Sequence, residues 1–253
     1  MPTGVSITRV ITAIATLVKE TKKHPTTGVV IGTPWPTGTK AGNGLFNAAL
    51  VLYKGKILGV QAKSLLPTYD VFDEARHFEP ALTVKPIPFK GEKLGISICE
   101  DAWNIQELWP EKRVYSRDPV ALLAKQKATL MINISASPFS AGKEAIRWKI
   151  IKKHALKYKK PFIYVNQIGG NDELVFDGRS IVVNTKGQAL NIAPGFQEYC
   201  ATVDLAQKKT CIYKPQPKIQ TIYEALVLGT HDYLHKCGFK KAVIGLSGGI
   251  DSA

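Results

Sequence analysis

Apolar positions recur along the chain with two different periods, and their alternation sketches an α/β protein. Over residues 7–23, Val10, Ile14, Leu17 and Val18 fall three or four apart, the spacing of one helix face, and Pro25 sets a stop. A compact apolar run at 28–32 then predicts a short buried strand. Residues 47–53 and 57–62 are two β-rich runs joined at Lys54-Gly55-Lys56, which predicts a β-hairpin. Further strands are predicted at 93–98, 129–134, 162–166 and 180–184, with helices at 119–127 and 143–158 between several of them. This mixture suits a layered α/β domain whose sheets are mostly buried. The pattern lapses over 208–220, where Pro215 and Pro217 punctuate a stretch without apolar periodicity, and this reads as a linker. An amphipathic helix over 221–237, with Ile222, Leu226 and Leu234 on one side, and a strand over 241–246 follow it. No internal repeat is visible.

Composition narrows the class. A chain of 253 residues holds one large domain, or one of about 200 residues with a further piece. With 45% apolar and 21% charged residues it fits a folded globular protein rather than a disordered or collagenous one. The apolar run at 10–18 is too short to span a bilayer, and no small-residue cleavage site follows it. A net charge of +14 raises the question of nucleic acid, but the lysines are scattered over polar positions of the predicted helices, as at Lys149, Lys152 and Lys153. Solvated helix faces are the plainer reading, and a positive field also favours anionic substrates such as nucleotides. Cys99, Cys200, Cys211 and Cys237 form no CxxC pair and meet no His at zinc spacing. Neither a disulfide framework nor a metal site is expected, which points to a reducing, cytoplasmic compartment with neither membrane nor nucleic acid as partner.

Two segments carry chemistry. Gly245, Leu246, Ser247, Gly248, Gly249, Ile250, Asp251 and Ser252 form a glycine-rich turn after the last predicted strand. Such a turn lets backbone N–H groups approach an anion, and a helix starting there would add its dipole. It lacks the lysine of the ordinary nucleotide triphosphatase loop and resembles the pyrophosphate loop of enzymes that split ATP into AMP and pyrophosphate. The other is Cys99, which ends an apolar strand and begins Cys99-Glu100-Asp101-Ala102-Trp103. A cysteine on a strand-to-helix turn can act as a nucleophile backed by the following N–H groups, although a buried cysteine is often simply a small hydrophobe.

Upstream, Lys63-Ser64-Leu65-Leu66-Pro67 follows the hairpin, and Glu74 lies a few residues on. Together with the Cys-Glu-Asp-x-Trp segment, Asn133-Ile134-Ser135-Ala136-Ser137-Pro138 and Tyr164-Val165-Asn166-Gln167, this resembles the nitrilase superfamily of carbon-nitrogen hydrolases over about residues 7–206, and within it the amidase domain of glutamine-dependent NAD synthetases. The resemblance implies a nitrilase-type α-β-β-α sandwich over 1–206, a linker at 207–220, and the beginning of a doubly wound α/β nucleotide-binding domain over 221–253. It makes Cys99 the nucleophile toward the glutamine amide, Lys63 the oxyanion-stabilising cation and Glu74 a support for that lysine. Tyr69, Ser137 and Lys143 fall where the family holds glutamine, Lys143 at its α-carboxylate. Phe72 and Glu100 fit either a pocket wall or core packing and helix capping. ATP with Mg2+ and deamido-NAD are the implied further substrates, and a homo-oligomer the implied assembly.

The family pattern also has a general-base glutamate well before the lysine. Only Glu20 precedes Lys63, on the polar side of the first helix and without the family's Pro-Glu neighbours, so the base is unassigned. The resemblance therefore implies a chain that starts after the base-bearing loop and stops inside the ATP site, and such a chain is expected to lack competent activity of its own. A stand-alone amidase and an inactive relative are the alternatives.

Overall fold

The computed structural model describes residues 4–39, 42–108 and 115–250. It is built as four layers. Helix α1 (Gly4–Glu20) lies on a three-stranded antiparallel sheet of β1 (Val29–Pro36), β2 (Leu45–Tyr53) and β3 (Lys56–Ala62), ordered β1-β2-β3. The second sheet contains β4 (Ile87–Phe89), β5 (Glu92–Ile98), β6 (Leu130–Ser135), β7 (Phe162–Asn166), β10 (Ile181–Val183) and β11 (Ala189–Ile192), ordered β11-β10-β7-β6-β5-β4. Helices α2 (Pro119–Lys125) and α3 (Lys143–Tyr158) cover its outer face. The hairpin β8 (Ile168–Asn171) and β9 (Leu174–Asp177) stands apart, with α4 (Lys218–Lys236) packed on it. This is the expected α-β-β-α sandwich.

Strand periodicity explains how one strand serves two layers. Ala48, Leu50 and Leu52 of β2 pack with Ile14, Val10 and Val18 of α1, while Ala49 and Val51 pack with Ile96 and Ile98 of β5. Pro34 is tolerated in β1 because, among the described residues, that strand pairs with β2 alone and needs no second ladder of N–H donors. In the second sheet β5, β6 and β7 run parallel, connected through α2 and α3, and antiparallel strands finish both edges. Gly95 on β5 is glycine for packing: a Cβ there would sit 2.7 Å from Met131 Sδ and 2.9 Å from Ala128 Cβ. The carboxyl ends of the three parallel strands deliver Cys99, Ser135 and Asn166 to one edge, the usual location of sites in open parallel sheets.

One expectation fails. Residues 241–246 form no strand and are exposed, Val243 at 97%. The apolar run has the composition of a buried strand, but among the described residues no strand lies beside it, and a single strand has no ladder to satisfy its backbone. The expected linker is also more anchored than its composition suggests. Tyr213 stacks on Trp148 at 4.7 Å, the Gln216 N–H donates to Glu144 at 3.0 Å, and α4 begins at Lys218.

Candidate active site

Cys99 follows β5 directly and opens the 3₁₀ turn Cys99–Ala102 with φ +43°, a left-handed conformation that a non-glycine residue adopts only when its surroundings impose it. Two buried side chains do so. Asn133 donates to the Ser97 hydroxyl at 2.9 Å and to the Cys99 carbonyl at 3.4 Å. Asp101 accepts the N–H of Ile98 at 3.0 Å on one oxygen, and those of Ser64 and Leu65 at 3.0 and 2.9 Å on the other. Its carboxylate thus ties the residue before Cys99 to the residues after Lys63. Burial outweighs those three donors and pushes Asp101 up to about 6.

Lys63 follows β3 and is 1% exposed. Its Nζ donates to Glu74 Oε1 at 2.5 Å, and Asn47 Nδ2 donates to the other oxygen of Glu74 at 3.3 Å. Burial also pushes the Cys99 thiol above its ordinary value, while the Lys63 ammonium opposes this less strongly.

Cys99 lies where two cavities meet. One, of about 490 Å³, is lined by Lys63, Glu74, Asn47 and Ser135 as well as Cys99. The other, of about 560 Å³, is lined by Cys99, Tyr69, Phe72, Glu100, Ser137 and Lys143, with Trp103 and Tyr115. In the second, the hydroxyls of Tyr69 and Tyr115 donate to the same Glu100 oxygen at 2.7 and 3.1 Å. Burial, and then the Glu100 charge, push both phenols up. Lys143 Nζ stands 5.5 Å over the Trp103 ring, and burial pulls its pKa down. The Ser137 N–H donates to Asn166 Oδ1 at 2.9 Å, which fixes its loop to the end of β7.

The other five residues expected near glutamine chemistry lie around Cys99, with Lys63 and Glu74 on one side and Tyr69, Ser137 and Lys143 on the other. Phe72 and Glu100 line the pocket. Glu20 does not join them: its side chain is half exposed and pairs with Lys23 at 2.9 Å. Asn47, Asp101 and Tyr115 carry parts of the site that no local pattern assigned to them. Asp101 had a clue in its place two residues after the cysteine, whereas Asn47 and Tyr115 reach the site only through the fold.

The glycine-rich segment is different. Gly245, Leu246, Ser247, Gly248, Gly249 and Ile250 are all exposed, and a Gly249 N–H to Ser247 Oγ contact of 3.4 Å is formed within it. Asp251 and Ser252 lie outside the described residues. Among the described residues no group of three or more His, Cys, Asp or Glu could hold a metal ion, and no helix is long and apolar enough to cross a membrane.

Comparison with known proteins matches residues 10–213 to the carbon-nitrogen hydrolase family and residues 222–253 to the NAD synthase family. The glutamine-dependent NAD(+) synthetase of Synechocystis sp. is 42% identical over 241 residues, covering 92% of this chain and 43% of that protein. That of Acinetobacter baylyi is 37% identical over 213 residues, covering 82% and 37% respectively. The chain thus spans less than half the length of these curated relatives. Among solved structures, glutamine-dependent NAD+ synthetase from Acinetobacter baumannii in complex with adenosine diphosphate superposes with a TM-score of 0.78 at 32% identity, over 94% of this chain and 44% of the other. A carbon-nitrogen hydrolase from Helicobacter pylori gives a TM-score of 0.58 at 26% identity, over 71% and 62%.

Proposed function

The chain belongs to the carbon-nitrogen hydrolase family, and we propose that it is the glutamine-hydrolysing part of a glutamine-dependent NAD synthetase, with residues 1–206 as the hydrolase unit, 207–220 as linker and 221–253 as the opening of the synthetase unit. The observation that carries the reading is the position of Cys99 between a buried lysine-carboxylate pair and a pocket lined by two carboxylates, Asp70 and Glu100, and the ammonium of Lys143. An amino acid with a side-chain amide presents the complementary groups: an amide to the sulfur, an ammonium and a carboxylate to the pocket.

In this reading the Cys99 sulfur attacks the side-chain carbonyl carbon of glutamine. The carbon–nitrogen bond breaks, ammonia leaves with the thiol proton, and a γ-glutamyl thioester remains. Water then releases glutamate and restores the thiol. Lys63 favours the thiolate and the tetrahedral oxyanion, helped by the N–H after Cys99, and Glu74 holds Lys63 in place. Tyr69 and Ser137 form pocket walls, and Lys143 receives the α-carboxylate. The ammonia serves ATP-dependent amidation of deamido-NAD, with residues 245–252 contributing N–H and hydroxyl donors to ATP bound with Mg2+. Homo-oligomeric assembly in the cytoplasm goes with the same reading.

The test is covalent trapping at Cys99 by a diazoketone analogue of glutamine. Modification should occur at Cys99, be prevented by glutamine and weaken in Lys143→Ala. Modification indifferent to glutamine would overturn the substrate and leave a general amidase.

A further inference from the structure

Helix α4 lies, from residue 222 onward, in the segment matched by the synthetase family, yet it packs on the β8–β9 hairpin of the hydrolase unit. Two polar contacts from the helix converge on one residue, Gly170. Asp232 Oδ2 accepts the Gly170 N–H at 2.7 Å, and Lys236 Nζ donates to the Gly170 carbonyl, so both polar groups of that residue are held from the helix. The other Asp232 oxygen faces His231 Nδ1 at 3.2 Å. The approach is tight enough that an added Cβ would have to displace its neighbours. A Cβ on Gly170 would lie 3.3 Å from the Gly229 backbone and 3.3 Å from Asp232 Cβ, and a Cβ on Gly229 would lie 3.0 Å from Val175 Cγ2.

Gly170 is the register partner of Val175 on β9. The Val175 carbonyl accepts the Phe139 N–H at 2.7 Å, and Phe139 lies in the 136–142 loop that carries Ser137 and leads into Lys143. One rung of the hairpin therefore joins α4 on one side to the pocket loop on the other. Further along β9, Asp177 forms a buried pair with Arg147 of α3, the helix that Lys143 begins, at 2.7 Å.

We propose that Asp232 and Lys236 are positioning residues for the pocket, through which the synthetase-side helix sets the Ser137–Lys143 loop by way of the Gly170–Val175 rung. No group on α4 needs to touch the substrate. The link consists of two hydrogen bonds with backbone N–H donors, Gly170 to Asp232 and Phe139 to the Val175 carbonyl, joined by the Gly170–Val175 pairing, and the protection of each amide reports its own bond.

Hydrogen exchange on the chain tests this directly, by following the Gly170 and Phe139 amides in Asp232→Ala, Asp232→Asn and Lys236→Met. In Asp232→Ala both amides should exchange about tenfold faster, as loss of a charge-assisted bond implies. Asp232→Asn, which keeps an acceptor, should restore both, and amides of β5 to β7 should stay protected throughout. The glutamine concentration that half-protects Cys99 from iodoacetamide should rise several-fold in Asp232→Ala, with the unprotected alkylation rate unchanged. Faster exchange at Gly170 with Phe139 at its wild-type rate would overturn the proposal, as would no change at either. Should Asp232→Ala fail to fold, Lys236→Met frees the Gly170 carbonyl alone, so faster exchange at Phe139 is then the expected result and a wild-type Phe139 rate the overturning one. The pocket readout rests on the glutamine reading. If glutamine fails to protect even the wild type, that reading falls while the two amides still decide the coupling.

Discussion

Asp101 joins the two halves of the site, and its replacement by asparagine tests how that junction is stabilised. The carboxylate is 2% exposed and accepts three backbone N–H groups, from Ile98, Ser64 and Leu65. Asparagine keeps one acceptor oxygen for Ser64 and Leu65 but turns an amide toward Ile98, leaving one bond unmade at about 1–3 kcal/mol. It also removes the cost of a buried charge. Burial raises the folded-state pKa from 3.8 to about 6, and that displacement corresponds to about 3 kcal/mol. The folded protein takes up this proton first as pH falls. The stabilising contribution of Asp101 is therefore complete below about pH 3.8 and is lost as pH rises through about 6. Urea unfolding of wild type and Asp101→Asn at a series of pH values isolates this contribution, because the other titrating groups are common to both. Between about pH 4 and 7 the wild type should lose about 3 kcal/mol relative to the variant. A gap that stays flat would show that the three N–H bonds cancel burial, and a wild type that gains on the variant as pH rises would show that they outweigh it; either result refutes the balance described here.

Other outcomes follow from the same geometry. Iodoacetamide should label the exposed Cys200, Cys211 and Cys237 well before Cys99 at neutral pH, because burial raises the Cys99 thiol, and Lys63→Met should move its pH profile higher still; equal labelling at pH 7, read by mass spectrometry, would contradict this. Asp177→Ala strands the buried Arg147 guanidinium and should destabilise by about 3–5 kcal/mol in urea melts, so a change below about 1 kcal/mol would show that the pair is dispensable. In a protein that carries this chain together with a working synthetase unit, Cys99→Ala should abolish NAD formation from glutamine and spare formation from ammonia. Equal loss with both nitrogen donors would remove Cys99 from its proposed role.

Periodicity made the larger elements legible. The β2–β3 hairpin, strands β5 to β7 and helices α2 and α3 are long apolar or helical patterns whose burial is written into each segment. Short elements were not. Strand β4 has three residues and β11 four, and β8 reads Ile168-Gly169-Gly170-Asn171, a sequence that favours a turn. Its glycines answer to the crossing of α4, a tertiary cause that no local window contains. The run at 241–246 erred the other way, because apolar composition signals fitness for burial without supplying a neighbouring strand. Within the site, Lys63, Glu74, Tyr69, Ser137 and Lys143 line the two cavities that meet at Cys99. The division into two cavities, the Asn47 contact with Glu74 and the Tyr115 contact with Glu100 arise only from the packing of distant segments.

That division follows from the architecture. Lys63 and Asn47 come from the three-stranded sheet, whereas Cys99, Ser135 and Asn166 come from the carboxyl edge of the parallel strands. The candidate site is therefore a seam between two sheets, and its geometry depends on how those sheets face one another. Ala49 and Val51 against Ile96 and Ile98 set their separation within a close-packed interior, while the Asp101 carboxylate fixes their relative position at the point where the reaction would occur. The two controls differ in kind. Apolar packing tolerates volume-conserving exchange at modest cost, but three convergent N–H groups accept few replacements. Sequence change should therefore be borne more easily at Val51 or Ile96 than at Asp101, even though all three are buried within the same seam.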